Sequence, residues 1–475
     1  MLRRAVLSPY GGLLRGIHTG GWDDPKSISE KDFRFLPILI GAGVVWRRRS
    51  VGKEFLTNAH RWARFLYQRF QYGRGALPDV ARITGSYRLQ TFAAQSGTGE
   101  VVRAFVPDPL PPTDPPLVLD AALAAKHQAA MNALERLAVA AMTVPSLTWF
   151  LYGFVRKEAV ISSQIEGTQA TLEDVLQFEA TRASDRPDDV EEICNSVAAL
   201  EFAREQIRRP DGLPLCSRLL TQVHQRLMTG VRGADKQPGS IRTSQNWVGG
   251  TRPGNAVFVP PPPGEVAEAL SRLDFWLHAE DPLPPLVRAG LAHVQFETIH
   301  PFLDGNGRVG RLLITLLVEH WGLLDSPLLY LSLAFKRKRD EYYRRLGAVR
   351  TEGDWEGWTG FFLDCVTEAA NDAVAAAGRL FRLLESDRRT LTNHAAATVA
   401  AIRLFDQLPD HPIVTLSLVG ELLRTTKPTA TKAIRALEAA GILRERTGRK
   451  RDRVYGYQSY LAVLAEDTGW EESGR

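Results

Sequence analysis

The chain has 475 residues, of which 44% are hydrophobic and 24% charged, as is usual for a globular protein of two to four domains. Its net charge of +5 permits a nucleic-acid-binding face without requiring one. The longest apolar run, 35–46, contains a proline and two glycines and is shorter than the roughly 20 residues of a membrane span, so no membrane partner is predicted.

Residues 1–84 carry no motif and are predicted to be an N-terminal extension without an assigned role. Their early arginines faintly resemble a targeting segment, and a membrane or partner contact is the alternative; the uninformative extension is favoured. The three cysteines of the chain are far apart and form no CxxC spacing, which indicates neither a zinc site nor a disulfide framework. A reducing cytoplasm is therefore the predicted location.

Residues 85–180 are predicted to be an N-terminal region with a strand at Val101–Val106 and an extended, proline-rich stretch at Pro107–Pro116. Amphipathic helical patterns then dominate as far as Glu385. They lie at Ala121–Met142, Val190–Arg208, Cys216–Met228, Glu265–Leu277, Leu286–Glu297, Gly310–Trp321, Lys338–Thr351 and Trp355–Leu384. One interruption, Ile241–Val259, is rich in Thr, Trp, Val and Phe and predicts a β-hairpin set into a helical domain of residues 181–392.

Residues 393–475 have a different pattern. Three short helices are predicted at Ala396–Phe405, Leu416–Leu423 and Thr429–Ala440, followed by strands at Ile442–Arg446 and Arg453–Tyr457. This order is that of a winged helix-turn-helix domain. Basic residues on the third helix and the wing favour contact with the DNA backbone, and a domain that docks proteins or forms a dimer is the alternative.

The most informative segment is HPFLDGNGRVGR at 300–311. Because Pro301 disfavours helical geometry at the preceding residue, one helix should end near Glu297 and the next should begin within 305–308. The glycine-rich triplet Gly305, Asn306 and Gly307 then lies at a helix N-terminus. There the free N–H groups and the helix dipole favour a phosphate, and glycine allows its close approach.

The charged residues of this segment supply the rest of a nucleotide site. Arg308 and Arg311 offer fork-shaped donors to phosphate oxygens, Asp304 is a suitable oxygen ligand for Mg²⁺, and His300 is placed to remove a proton from a hydroxyl. Each residue alone has an ordinary structural explanation. All of them occurring in order within one short segment makes that explanation improbable.

The segment resembles the Fic motif, HPFx(D/E)GNGRxxR, at every defined position. The resemblance covers roughly residue 85 to the end of the predicted winged helix, and it implies a mainly α fold with a β-hairpin flap inserted in the Fic domain. It implies His300 as general base and Asp304 as Mg²⁺ ligand. The residues implied to bind ATP are Gly305, Asn306, Gly307, Arg308, Gly310 and Arg311, with Arg311 on the γ-phosphate.

The resemblance also bears on the reaction. The kinase-like relative Doc has lysine where this chain has Gly307, and a side chain there would crowd the phosphate pocket. Gly307 therefore favours attack at the α-phosphate, which transfers AMP to a protein hydroxyl. Modification of the protein itself and a homodimer are possible, and use of UTP or GTP or removal of AMP stays open. The alternative function is a DNA-binding regulator with a nucleotide-sensing Fic domain, which a damaged motif would have favoured.

A second motif, SSQIEG at 162–167, resembles the family's inhibitory motif, (S/T)xxxE(G/N). Ser162 and Glu166 are four residues apart and share a helix face, and Gly167 would end the helix. A capped helix end is the ordinary explanation. The resemblance implies instead that Glu166 pairs with Arg311 and occupies the space that the γ-phosphate needs.

The segment Ile241–Val259 resembles the flap with which the family holds its target beside the catalytic histidine. Strand addition is the mechanism implied, with Val257, Phe258 and Val259 as the candidate edge. A packed structural hairpin is the alternative, and is equally plausible for Trp247. His224 and His293 fall within helical patterns and receive no functional role.

Overall fold

The computed structural model describes residues 82–92, 100–143 and 147–469, so the predicted extension of residues 1–84 lies almost wholly outside the described residues. The described part confirms the prediction of a mainly helical fold. Within these ranges, none of the helices has the length and apolar character that crossing a membrane would require.

Two strands precede the helices. β1 (Gly85–Phe92) pairs antiparallel with β2 (Glu100–Pro107), from Gly85 opposite Pro107 to Phe92 opposite Glu100. The predicted strand Val101–Val106 lies within β2 and is confirmed. The other edge of β2 meets the flap region, where Phe105 N donates to Val259 O at 2.9 Å. The β1–β2 hairpin is therefore joined to the 241–259 segment through a backbone hydrogen bond.

The helical part contains eleven α-helices before residue 394 in the described ranges. They are α1 (Ala121–Thr143), α2 (Leu147–Ile165), α3 (Leu172–Thr181), α4 (Pro187–Arg208), α5 (Ser217–Met228), α6 (Pro263–His278), α7 (Pro285–Ile299), α8 (Asn306–His320), α9 (Leu331–Arg337), α10 (Arg339–Glu352) and α11 (Trp355–Asn393). α1 packs along α11, and α7 packs against α8 and α11 around buried Phe296, Leu313 and Trp358. This packing fixes the loop between α7 and α8.

The segment 241–259 forms less regular structure than the predicted hairpin. Its ladder is a single antiparallel bridge between Val248 and Phe258, and a 3-10 turn occupies Pro253–Asn255. The physical reason is local, since Gly249 and Gly250 have φ values of +70° and +71° and the turn begins at a proline. Hydrogen bonds from side chains, rather than a longer ladder of backbone hydrogen bonds, hold this segment.

Beyond α11 the chain forms α12 (Val399–Gln407), β3 (Ile413–Thr415), α13 (Leu416–Leu423), α14 (Lys427–Ala439), β4 (Arg444–Glu445), β5 (Val454–Gly456) and α15 (Gln458–Leu464). The three strands form one antiparallel sheet in the order β3-β5-β4. α15 returns to pack on α11 and α2. There Gln164 Nε2 donates to Thr468 O at 2.9 Å, so the end of the described chain holds the helix that carries Ser162.

Candidate active site

His300 lies in a left-handed turn that ends α7, with φ +50°. Its ring Nδ1 is 3.2 Å from the Glu297 carbonyl oxygen, which assigns the ring proton to Nδ1 and leaves Nε2 as the acceptor. Burial lowers the pKa of His300 to about 4, so the ring is neutral at neutral pH. The side chain retains 18% exposure, which leaves it accessible to a substrate hydroxyl.

The loop after His300 brings the N-terminus of α8 to the site. Gly305 precedes the helix with φ +75°, a conformation that glycine adopts without strain. Asn306 is 2% exposed, and its side chain accepts from Phe302 N at 2.9 Å and donates to Phe302 O at 2.8 Å. Asn306 thus fixes the loop, and the first-turn N–H groups of α8 remain for an anion.

Arg311 is held by the segment that resembles the inhibitory motif. Its Nη2 donates to Glu166 Oε1 at 2.7 Å and to the Ser162 carbonyl oxygen at 2.9 Å, and its Nε donates to Ser162 Oγ at 2.9 Å. The Arg311 side chain is 2% exposed and that of Glu166 is 34% exposed. Burial raises the pKa of Glu166, but the charge and hydrogen bond of Arg311 outweigh burial and leave that pKa lowered.

Two glycines allow this contact. A Cβ on Gly307 would lie 2.2 Å from Glu166 Oε1, so a side chain at 307 would exclude the carboxylate as well as crowd a phosphate. Gly167 follows Glu166 with φ +98°, a backbone conformation that favours glycine. Gly307 therefore leaves the space for the Glu166–Arg311 pair, and Gly167 allows the turn that ends the 162–167 segment.

Arg308 has a different environment from Arg311. Its Nη1 lies 2.7 Å from Glu192 Oε1, in a pair whose side chains are 5% and 1% exposed. Glu192, on α4, also accepts from Thr168 Oγ1 at 2.8 Å. In this arrangement Arg308 ties α8 to α4, and its predicted contact with a phosphate stays a prediction.

Asp304 is the candidate metal ligand. Among the described residues, no group of three or more His, Cys, Asp or Glu side chains is arranged to hold a metal ion. Asp304 is exposed, its Oδ1 accepts from Gly305 N at 2.6 Å, and the missing side chain of Gly233 leaves space beside Oδ2. One accessible carboxylate fits Mg²⁺ that arrives with a nucleotide, because Mg²⁺ is commonly bound by one or two carboxylates and substrate phosphates.

Of the three candidate edge residues in the flap, only Val257 is exposed, at 84%, whereas Phe258 and Val259 are 9% and 6% exposed. Val257 N and Phe258 N both donate to Val248 O. Two of the three side chains thus pack inward and the backbone is partly paired, and the role of Val257, Phe258 and Val259 as a docking edge stays a prediction.

Comparison with known proteins assigns the fold that carries these residues. Residues 124–205 match the Fic/DOC family N-terminal model, and residues 214–318 match the Fic/DOC family model. Two regions of the chain are therefore similar to the two domains of the Fic/DOC family. His300, Asp304 and Arg311 lie within the Fic match, and Glu166 lies within the N-terminal one.

Curated relatives of the Fic domain include proteins named protein adenylyltransferase Fic from Drosophila grimshawi and Drosophila willistoni. Both are 31% identical over 205 residues, which is 42% of this chain, 39% of the first protein and 38% of the second. The chain thus spans about two fifths of the length of these relatives. A solved Fic family protein from Desulfovibrio desulfuricans G20 aligns with a TM-score of 0.47 and 23% identity, over 72% of this chain and 98% of its own.

Sequence reasoning missed Arg242, which connects the 241–259 segment to the turn that carries His300. This buried guanidinium donates to the carbonyl oxygens of His300 at 2.8 Å and Pro261 at 2.6 Å. Burial without a carboxylate partner lowers the pKa of Arg242 to about 10. Nearby, Asn246 Nδ2 donates to Phe302 O at 2.8 Å. The polar composition of residues 242–246 is the sequence feature that could have indicated these contacts.

Two histidines left without a role also position the Fic motif. His224 accepts from Gly239 N at 2.9 Å through Nδ1, and its Nε2 lies 3.0 Å from the Asp304 carbonyl oxygen. His293 contacts Gly310 O at 3.0 Å and the Tyr342 hydroxyl at 2.8 Å. Both side chains are fully buried, and burial lowers both pKa values, to about 4 and about 3. They support the loop and helix of the site as neutral rings.

Proposed function

We propose that this protein transfers AMP from ATP to a Ser, Thr or Tyr hydroxyl of target proteins, itself included, and that Glu166 inhibits it within the same chain. The observation that carries the proposal is the neutral His300, with Nε2 free of hydrogen bonds to the described residues, beside the N-terminus of α8. The names of the curated relatives support AMP as the transferred group.

In the proposed reaction, His300 Nε2 takes the proton of the target hydroxyl as its oxygen attacks the α-phosphorus. The new O–P bond forms, the bond from the α-phosphorus to the bridging oxygen breaks, and pyrophosphate leaves. The first-turn N–H groups of α8 bind phosphate oxygens, and Arg311 binds the γ-phosphate once Glu166 has left it. Mg²⁺ bound through Asp304 would supply positive charge that neutralises the negative charge of the pyrophosphate.

The direct test is incubation of the purified protein and a cell lysate with ATP labelled on the α-phosphate, followed by mass spectrometry. AMP on protein hydroxyls is the expected result, and the Glu166→Gly variant should show it most strongly. The proposal would be contradicted if the label stays on the nucleotide with the unaltered protein and also with the Glu166→Gly variant. Labelled UTP and GTP in parallel reactions would identify another transferred nucleotide.

Replacing Asp304 by alanine is expected to weaken Mg²⁺-dependent ATP binding and to slow turnover by about two orders of magnitude or more, because metal charge stabilisation is worth several kcal/mol. Calorimetric titration with ATP, with and without Mg²⁺, measures the first effect. Asp211→Ala removes an exposed carboxylate that pairs with Arg209, and serves as the matched control. Full activity in EDTA would exclude the metal from the reaction.

We further propose that residues 393–475 form a winged helix-turn-helix domain that binds DNA. The order of α12, β3, α13, α14 and the β4–β5 pair supports this topology, and α11 ends at the proposed boundary. Basic side chains are exposed on α14 and at the wing: Lys427, Lys432, Arg435, Arg444, Arg449, Lys450, Arg451 and Arg453. Arg446 is instead paired with Glu173 on α3.

The alternative function, a DNA-binding regulator with a nucleotide-sensing Fic domain, depends on this region alone. The intact Fic motif favours the enzyme.

If the wing contacts DNA, replacing Arg449, Lys450 and Arg451 together by glutamine should weaken DNA binding and flatten its salt dependence. The slope of log affinity against log salt should fall in magnitude by about 0.9 for each phosphate that the variant no longer neutralises. Fluorescence anisotropy over a salt series measures it, with Arg218→Gln on α5 as control. Full-length protein is required, because Thr468 also contacts α2. DNA binding that ignores salt, or none, would favour the protein-docking alternative.

A further inference from the structure

A buried carboxyl group lies beside the catalytic histidine. Glu297 precedes His300 by three residues at the end of α7, and its Oε2 is 3.9 Å from His300 Nδ1. The side chain is 11% exposed, and its Oε1 has no hydrogen-bond partner among the described residues. A buried carboxyl group with an unsatisfied oxygen is costly, so its presence requires a reason.

The surrounding residues leave room for this carboxyl group. A Cβ on Gly310 would lie 2.3 Å from Glu297 Oε1, so any side chain at 310 would displace it. The groups whose charges act on Glu297, or are acted on by it, come from α7, α8, α10 and the 162–167 segment. They are His300, Arg311, Arg350, Tyr342, Tyr343 and Glu166.

His300 needs such a partner for the proposed reaction. Its imidazole sits in an environment that disfavours the protonated form, although the reaction requires it to accept a proton. Arg242, bound to its carbonyl oxygen, adds a further positive charge that opposes protonation. Two carboxylates act on the ring: the charge of Glu166 raises the pKa of His300, and Glu297 Oε2 lies 3.9 Å from Nδ1.

We propose that Glu297 is the positioning residue of His300, and that its carboxylate orients the imidazole and stabilises the imidazolium formed when Nε2 takes the target's hydroxyl proton. This inference rests on the proposed AMP transfer. No proton passes to Glu297 in this step. The proton leaves the target oxygen and stays on Nε2, while the Nδ1 proton remains where it is.

The role of Glu297 predicts a particular dependence of rate on pH. Burial raises its pKa to about 7, Arg311 and Arg350 lower it, and Glu166 raises it. The carboxyl group is therefore neutral below pH 7 and negatively charged above it. Only the charged form stabilises an imidazolium, so the rate should rise as pH rises through about 7. His300 contributes no step there, because its own pKa is lowered to about 4.

The experiment compares AMP transfer by Glu166→Gly with that by Glu166→Gly combined with Glu297→Gln, at saturating ATP and between pH 5.5 and 9. The amide keeps the shape of the side chain and cannot ionise. We expect AMP transfer by the Glu297→Gln derivative to be about 10- to 100-fold slower above pH 7. An opposite charge at this distance shifts the pKa of the imidazole by about 1 to 3 units, and the rate of proton removal changes with part of that shift. We also expect the rise with pH to disappear, with ATP affinity unchanged. In the Glu166→Gly parent that rise should lie somewhat below pH 7, because Glu166 no longer raises the pKa of Glu297.

The matched control is Glu158→Gln in the same background. Glu158 is a second buried glutamate whose pKa burial raises to about 7 and, like Glu297, it interacts with the charge of Arg311. It differs in accepting hydrogen bonds from Ser332 on α9 instead of facing His300. This variant should keep the rise in rate near pH 7. A loss of the rise in both variants would assign it to general destabilisation and overturn the inference.

An active Glu166→Gly enzyme whose Glu297→Gln derivative keeps both its rate and its pH profile would overturn the role of Glu297 alone. A Glu166→Gly protein that transfers no AMP would overturn the proposed function and this inference with it. Should Glu297→Gln fail to fold, Glu297→Asp replaces it. The shorter carboxylate is expected to keep the pH-dependent rise at a lower rate, and a flat profile would contradict the proposal.

Discussion

Replacing His300 by alanine is expected to reduce AMP transfer by about 10² to 10⁴, the usual cost of losing a general base. Nε2 is the acceptor for the hydroxyl proton in the proposed reaction, whereas the proposed phosphate contacts come from α8 and Arg311. ATP binding should therefore remain nearly unchanged. The rate is best measured in the Glu166→Gly background, where transfer is expected to be fast enough to show the full reduction.

The control for this variant is His127→Ala on α1, outside the site, which should transfer AMP at the parent rate. Equilibrium dialysis with labelled ATP separates binding from transfer. A folded His300→Ala protein that transfers AMP as fast as its parent would refute the assignment of the general base, whatever its affinity for ATP.

Replacing Glu166 by glycine is expected to raise AMP transfer from about tenfold to over a hundredfold, because a hydrogen bond between charged groups is worth roughly 1.5 to 3 kcal/mol. The carboxylate is bound at 2.7 Å to Arg311, which the γ-phosphate also needs. Glu166 is 34% exposed, and solvent screening of the pair favours the lower end of this range. Both self-modification and target modification should increase, and both should require His300.

Two further variants test the cause of that increase. Glu166→Gln keeps the size of the side chain without its charge and should release Arg311 in part. Arg311→Ala should not reproduce the increase, because it removes the γ-phosphate contact together with the inhibitory one. If folded Glu166→Gly protein binds ATP no better and transfers AMP no faster, the 162–167 segment is only a capped helix end.

Local signals made part of the fold predictable. The long helix that begins at Trp355 follows from a short-range pattern and is confirmed. β1 was missed because its side chains are largely exposed and its partner strand is separated from it by residues 93–99. α9 was missed because it is short and its apolar residues give no helical period.

The candidate site was predictable where its residues are consecutive. The order of His300, Asp304 and Arg311 follows from one segment, and the Glu166–Arg311 contact was implied by resemblance before its geometry was known. The Glu192–Arg308 pair could not be predicted, because the two residues meet only through the packing of α4 against α8. Pairings between distant segments depend on tertiary structure that short-range patterns do not contain.

The hydrogen bond from Gln164 to the carbonyl oxygen of Thr468 has a thermodynamic consequence for the C-terminal region. Gln164 lies between Ser162 and Glu166, so whatever detaches Thr468 from α2 also removes support from the 162–167 segment. Thermodynamic linkage requires that the effect of one binding event on the other is reciprocal. A ligand that binds the C-terminal region better when it is detached should increase the affinity for ATP, and saturating ATP should increase the affinity for that ligand by the same factor.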